Sequence, residues 1–238
     1  MKLIVDEIFY SLRGEGEFIG HPAIFIRLSK CNLICQFCDT NFPTSTNKYF
    51  AFNNNPMTIN EVIQTIKDIE TTFKLSINHY VITGGEPLIQ QKALLYFFQA
   101  LEEYKTTPFI EIETNGTILP LEELNDYVGQ YDVSLKLENS HMDLKLREKP
   151  KVIKWFVSDS INPSSTLFKF VVDKKEDLKE IDTLVDKYKI NNISLMPCGT
   201  TPEIILEKMK WLAPICLQKG YQLSTRLHVL IWGNKRGV

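Results

Sequence analysis

Cys31, Cys35 and Cys38 fall within eight residues of one another, spaced C-x3-C-x2-C. That spacing puts three soft thiolates on one short segment, and thiolate sulfur favours zinc or an iron–sulfur cluster over hard cations. A structural zinc site wants four ligands, yet the neighbouring sequence offers neither a second cysteine pair nor a histidine. A four-iron cluster held by three cysteines instead leaves one iron open to an outside ligand, so the missing fourth ligand is informative. A zinc loop and a set of reduced core thiols are the competing readings. Downstream, Thr83-Gly84-Gly85-Glu86-Pro87 sets two glycines beside a carboxylate. The glycines let backbone approach a ligand, and the carboxylate can accept hydrogen bonds from an ammonium group. Taken alone the stretch reads more often as a turn, and Glu113-Thr114-Asn115-Gly116, which also offers polar groups, reads equally as one.

These segments need elements that bring them together. Ala23 to Leu28 reads as a strand that stops just before the cysteines, and His79 to Ile82 as a strand that stops at Thr83. Between them Asn54 to Met57 reads as a turn, and Thr58 with Glu61 as a capping box. Ile59, Val62, Ile63, Ile66, Ile69 and Phe73 then recur at helical spacing. The alternation continues with a helix over Gln91 to Tyr104, a strand over Phe109 to Ile112, and a helical stretch over Leu121 to Val128. Strands follow near Asp132 to Leu135 and Phe168 to Val172, then a helix from Lys175 to Lys189 and a strand from Ile193 to Met196. A helix over Pro202 to Lys219 precedes a closing strand over Arg226 to Trp232. Alternating strands and helices imply a parallel sheet with right-handed crossovers. The fold class is α/β, as a full or partial β/α barrel or an open doubly wound sheet, with chemistry at the carboxyl ends of the strands. One domain over 1–238 is expected, with insertions near 41–55 and 140–166, the latter holding Val152 to Val157 as an insertion or extra strand.

Composition bounds the partners. With 27 basic and 29 acidic residues, the formal charge of -2 gives no bulk electrostatic case for nucleic acid or an anionic membrane. No apolar run approaches membrane-spanning length, and acids arrive too early, at Asp6 and Glu7, for a secretory signal. A cytoplasmic setting is expected. There an odd total of five cysteines speaks against a disulfide framework.

The cysteine spacing, Phe37 before the last cysteine and Gly84-Gly85-Glu86-Pro87 together resemble the radical S-adenosylmethionine (SAM) superfamily. The resemblance implies a partial or modified TIM-like barrel and a [4Fe–4S] cluster on Cys31, Cys35 and Cys38. It also implies SAM chelated to the open iron, reductive release of a 5′-deoxyadenosyl radical, and Gly84, Gly85 and Glu86 around the cofactor's amino group. More narrowly, Glu7 to Gly16, Arg27, Cys38-Asp39-Thr40 and the ending Trp232 to Val238 resemble the 7-carboxy-7-deazaguanine synthase family nearly end to end. That likeness implies conversion of 6-carboxy-5,6,7,8-tetrahydropterin to 7-carboxy-7-deazaguanine with loss of ammonia, toward queuosine and other deazapurines. Hydrogen abstraction at C6 would begin a radical ring contraction, with the cofactor regenerated. By the same likeness Leu12, Arg13, Gly14, Glu15, Arg27, Thr83 and Val238 meet the substrate, and Thr40 binds Mg2+. Phe37, Cys38, Asp39 and Glu113 meet the cofactor, followed by Ser134-Leu135-Lys136 and Met196-Pro197-Cys198-Gly199. Leu135 stands where the family commonly has proline, and Cys198 where it commonly has glutamate. A flavodoxin- or ferredoxin-like electron donor and a homodimer are further implications.

Other signals read as structural. Gly14, Gly16 and Gly20 have the wrong spacing for a dinucleotide fingerprint. His21, His79, His141 and His228 form no metal-binding pair, Cys216 reads as a small core residue, and Lys174 to Glu180 as a solvated helix face. A radical activase for a partner protein would share the cysteine loop and glycines without needing Arg27, Thr40 or the tail. A non-catalytic iron–sulfur or zinc protein would show metal without SAM cleavage.

Overall fold

The computed structural model describes residues 1–38, 55–158, 166–233 and 235–238. Strand β1 (Lys2–Leu12) runs antiparallel to β2 (Pro22–Leu28), and β3 (Asn55–Thr58) pairs with the outer edge of β1. From β2 onward the neighbours are parallel: β4 (His79–Gly84), β5 (Phe109–Thr114), β6 (Val128–Val133), β7 (Thr166–Val172), β8 (Ile193–Pro197) and the two-residue β9 (Gln222–Leu223). The resulting nine-stranded sheet has the order β3-β1-β2-β4-β5-β6-β7-β8-β9. Helices α1 (Ile59–Phe73), α2 (Gln91–Tyr104), α3 (Leu144–Arg147), α4 (Pro150–Val157), α5 (Asp177–Tyr188), α6 (Pro202–Lys219) and α7 (Leu227–Trp232) connect and cover it. The capping box at the start of α1 is formed: Glu61 N donates to Thr58 Oγ1 at 3.3 Å, and Thr58 N to Glu61 Oε2 at 2.6 Å.

Successive strand residues face opposite sides of a sheet, and here the two sides differ in kind. Ile24, Ile26 and Leu28, then Tyr80 and Ile82, Ile110 and Ile112, and Phe168, Phe170 and Val172 join the helices in the main apolar core. The intervening residues face inward. Ala23, Phe25 and Val81 form a small apolar cluster with Phe9, while Arg27, Thr83, Glu111, Glu113, Asp132 and Lys169 put polar and charged groups on the same face. The sheet stays open as a hydrogen-bonded ladder, but its first and last segments meet through loops. Leu227 N donates to Gly14 O at 2.8 Å and Gly16 N to Ser224 Oγ at 3.1 Å. A β carbon on Gly14 would lie 2.1 Å from His228 Nδ1, so only glycine permits that approach.

Several sequence expectations need correction. The expected turn at Asn54 to Met57 is β3 from Asn55, because β1 offers it an open edge. β1 itself escaped notice because a register shift between Val5 and Glu7 breaks its alternation around adjacent acids. Val152 to Val157 lies in α4, led by Pro150 at a position where the missing N–H costs nothing. Arg226 to Trp232 closes the chain as helix α7, not a strand, since short apolar runs do not declare their period. Leu121 to Val128 contains only a 3-10 turn, Glu122–Asp126, and the strand expected near Asp132 to Leu135 runs earlier, Val128–Val133. The sheet is not parallel throughout. Of the expected insertions, 41–55 lies outside the described residues except Asn55, and 140–166 holds α3 and α4. Among the described residues no helix is long and apolar enough to cross a membrane.

Candidate active site at the carboxyl ends of the strands

Where the parallel strands end, their loops and inward-facing side chains line a cavity of about 510 Å3, within the range of small-molecule sites. Cys31, Cys35 and Cys38 line it on the loop after β2, and none of the three is in a disulfide. Gln36 N donates to Ser140 O at 3.0 Å, and Ile34 N approaches Met142 Sδ at 3.3 Å, so the segment after β6 supports the cysteine loop. Burial pushes the Cys31 thiol up to about 11, with the Glu86 charge adding to it, and burial also raises Cys35. Metal loading would therefore displace protons. Among the described residues no three Cys, His, Asp or Glu side chains converge as the ligands of a single ion do. Asn115 Nδ2 lies 3.9 Å from Cys31 Sγ.

The Gly-Gly turn lies directly beneath the start of that loop. A β carbon on Gly84, whose φ is +117°, would fall 2.1 Å from Leu28 O, and one on Gly85 1.9 Å from Lys30 O. Gly85 N and Glu86 N donate to those same carbonyls at 2.9 and 2.8 Å. The two glycines thus allow one backbone to pack on another just ahead of Cys31. The Glu86 carboxylate is fully buried and does not line the cavity. It accepts from Leu88 N at 3.1 Å, Thr114 Oγ1 at 2.9 Å and Asn115 N at 2.7 Å, tying the turn to the end of β5. Burial raises its pKa despite these donors.

The floor of the cavity is ionic. Arg13 reaches Glu111 Oε1 at 2.6 Å, Glu113 Oε1 at 2.7 Å and Asp132 Oδ2 at 2.8 Å, with its side chain 3% exposed. His79 Nε2 lies 3.0 Å from Glu111 Oε2. Lys169 Nζ bridges Glu15 Oε2 at 2.7 Å and Glu113 Oε1 at 3.1 Å, while Arg226 Nε donates to Glu15 Oε1 at 3.0 Å. Thr83 Oγ1 donates to Glu113 Oε2. Burial works against every charge here. Arg13 and the His79 hydrogen bond nevertheless hold Glu111 down to about 2, and Lys169 followed by Arg13 holds Glu113 low. Burial and then Glu111 push Asp132 up to about 8. Nearer the rim, Arg27 Nε donates to Glu7 Oε1 at 2.7 Å, directly across the β1–β2 ladder, and its guanidinium lies 5.7 Å from the Phe9 ring centroid.

Most of the expected site residues meet at this cavity. Leu12, Arg13, Gly14, Glu15, Arg27, Thr83 and Val238 line it, as do Phe37, Gly84, Gly85 and Glu113. Ser134, Lys136 and the segment Met196-Pro197-Cys198-Gly199 line it too. The Ser134–Lys136 corner is braced by Arg147, which donates to Lys136 O at 2.9 Å, and Lys136 Nζ donates to Ser134 Oγ at 2.8 Å. Glu86 and Leu135 do not reach the cavity; Leu135 is buried against the backbone at Gly116. Asp39 and Thr40 lie outside the described residues. Sequence reasoning missed Lys169, Arg226 and the lining role of His228. The alternation Phe168-Lys169-Phe170, a lone cation between apolar core positions in a strand, was the available signal for the first. Cys216 is a buried core residue as expected, whereas Glu180, expected on a solvated face, pairs with Arg147.

Known proteins resemble this chain over most of its length. The radical SAM superfamily model matches residues 25–151. A 7-carboxy-7-deazaguanine synthase from Pyrobaculum aerophilum is 32% identical over 99% of this chain and 97% of its own. One from Rhodopirellula baltica is 32% identical over 99% of this chain and 89% of its own. The crystal structure of QueE from Escherichia coli shares the fold, with a TM-score of 0.70 at 23% identity over 96% of this chain and 95% of that one. The chain therefore belongs to the radical SAM superfamily and, within it, to the 7-carboxy-7-deazaguanine synthase family.

Proposed function

We propose that the chain, as one radical SAM domain, converts 6-carboxy-5,6,7,8-tetrahydropterin to 7-carboxy-7-deazaguanine with loss of ammonia. The observation that carries this reading is one cavity lined by three cysteines outside any disulfide together with Arg27, Thr83, Glu15 and Glu113. A [4Fe–4S] cluster on Cys31, Cys35 and Cys38, with SAM at its open iron, would supply the 5′-deoxyadenosyl radical. Phe37, Cys38, Asp39, Gly84, Gly85, Ser134, Lys136 and the Met196–Gly199 segment would hold the cofactor.

The substrate is small, polar and rich in N–H donors, and the residues offered to it are complementary. Arg27 is partly exposed, and its planar fork suits the pterin carboxylate once that anion competes with Glu7. Thr40 would add Mg2+ as a hard oxygen ligand. Glu15 and Glu113 are held ionised by the cations around them, so they can accept hydrogen bonds from ring and amino N–H groups. Leu12, Gly14 and Val238 would close over the ring. Arg13 would act from beneath, since its guanidinium is already engaged by three carboxylates. A flavodoxin- or ferredoxin-like donor would deliver the electron, and a cytoplasmic homodimer is the expected assembly.

The decisive experiment is to incubate the anaerobically reconstituted, reduced protein with the carboxytetrahydropterin, SAM and Mg2+ and to seek the deazaguanine by mass. Absence of both 5′-deoxyadenosine and product from protein that carries a full iron–sulfur complement would overturn the reading.

A further inference from the structure

Lys169 has no part in the sequence-derived site, yet it sits at its centre. It lies within β7, is 4% exposed and lines the cavity. An ammonium carries three N–H donors. Two of them go to Glu15 Oε2 at 2.7 Å and Glu113 Oε1 at 3.1 Å, and the third has no partner among the described residues. Neither flanking carboxylate is free to swing. Arg226 fixes the other oxygen of Glu15, while Thr83 and Arg13 fix Glu113. The floor therefore presents an acceptor, a donor and an acceptor in a rigid row.

A reduced pterin with a 4-carbonyl carries the complement along one edge: N5–H, the carbonyl oxygen, then N3–H. Resting on the pterin reading above, we propose that Lys169 is a specificity-determining residue whose third N–H donates to the substrate's ring carbonyl while Glu15 and Glu113 accept from the flanking N–H groups. A ring with an amino group in place of that carbonyl would set donor against donor. It would leave the ammonium and the amine unpaired in a desolvated site, which is how polar sites reject close analogues. The ammonium also keeps the two carboxylates apart and charged, so the row exists before the substrate arrives.

The test compares a 4-oxo and a 4-amino reduced 6-carboxypterin as competing ligands of the reconstituted enzyme. The wild type should prefer the 4-oxo compound by roughly 100-fold, as expected when a hydrogen bond to a charged group is lost. Lys169→Met should weaken the 4-oxo compound by roughly 10- to 100-fold and leave the 4-amino compound nearly unchanged, so the preference falls by that factor, the remainder coming from N3, which carries no hydrogen in the 4-amino ring. Lys169→Arg, which keeps a cationic donor, should restore much of it. If K169M does not fold, Lys169→Gln carries the same test, because its amide can turn to donate or accept and the preference must still fall. Wild-type discrimination in folded K169M or K169Q overturns the proposal. Failure of the wild type itself to turn over the carboxytetrahydropterin overturns the underlying functional reading, and that result appears before any variant is made.

Discussion

Replacing Arg13 by methionine removes the one group that neutralises the floor of the cavity from below. The guanidinium contacts Glu111, Glu113 and Asp132 at 2.6 to 2.8 Å, with its side chain 3% exposed and the side chains of Glu111 and Asp132 fully buried. At an effective dielectric of 20, one such pair is worth about 4 kcal/mol before desolvation. The cost of burying the guanidinium offsets much of that gain, but the variant keeps Glu111 and Asp132 fully buried without their cation, while Glu113 retains Lys169. Breaking a buried pair in this way costs about 3–5 kcal/mol, a large share of the ~5–15 kcal/mol that a domain has in total. The pH dependence gives the sharper signature. In the wild type Glu111 is held down to about 2, below its unfolded value. Its contribution is complete above the unfolded pKa and fades as pH falls through the folded one. Without Arg13, burial lifts the folded pKa of Glu111 above its unfolded value and raises Asp132, already pushed up to about 8, further still. The folded variant then takes up protons more readily than the unfolded chain, so it gains stability as pH falls from 8 toward 5, opposite in sign to the wild-type Glu111 effect. Urea unfolding followed by circular dichroism at pH 8 and pH 5.5 measures both quantities. A loss below about 1 kcal/mol at pH 8, or a loss that does not shrink at pH 5.5, would refute the reasoning. Arg13→Lys should recover only part of the loss, since an ammonium cannot fork to three carboxylates.

Gly85→Ala should displace the backbone at Lys30, since the new methyl would sit 1.9 Å from its carbonyl oxygen, and so misplace Cys31. Iron and sulfide per folded chain should fall well below wild type, and full cluster loading in a folded G85A protein would contradict the packing described. Thr58→Ala breaks the capping box of α1 and should lower stability by about 1 kcal/mol in a urea titration, with turnover unchanged. Glu86→Gln puts an amide where a buried carboxylate accepts three hydrogen bonds, and should cost about 1–3 kcal/mol while leaving SAM affinity nearly intact. A large loss of SAM binding by folded E86Q, measured by equilibrium dialysis, would show instead that this carboxylate reaches the cofactor.

The parts of the site carried by loops after strands were legible because cysteine spacing and paired glycines are unusual and local. α1, α2 and α6 were legible for a similar reason: periodicity and capping signals lie within each segment. The ionic floor was harder to see. Glu111, Ile112 and Glu113 alternate as a strand with a wet face would, and only curvature of the sheet turns that face inward. Arg13 matched a substrate position by likeness, but its partners lie 98 to 119 residues away, beyond any local pattern. The Gly-Gly turn carries a second role that composition does not show: besides lining the cavity, it packs on the chain's own backbone at Leu28 and Lys30.

The sheet's first and last segments are joined by Leu227 to Gly14, Gly16 to Ser224 and Arg226 to Glu15 rather than by a strand ladder. A ladder opens only with the domain, but a seam of loop and side-chain contacts can part while the sheet on either side stays intact. The amides of Gly16 and Leu227 should then exchange with solvent faster than those of the central strands. Because Glu15 and His228 come from the two sides of this seam and both line the cavity, a ligand touching both would hold the seam closed. Closing that gap brings together positions more than 200 residues apart, so the pocket takes its final shape late, after the strands that flank it have formed.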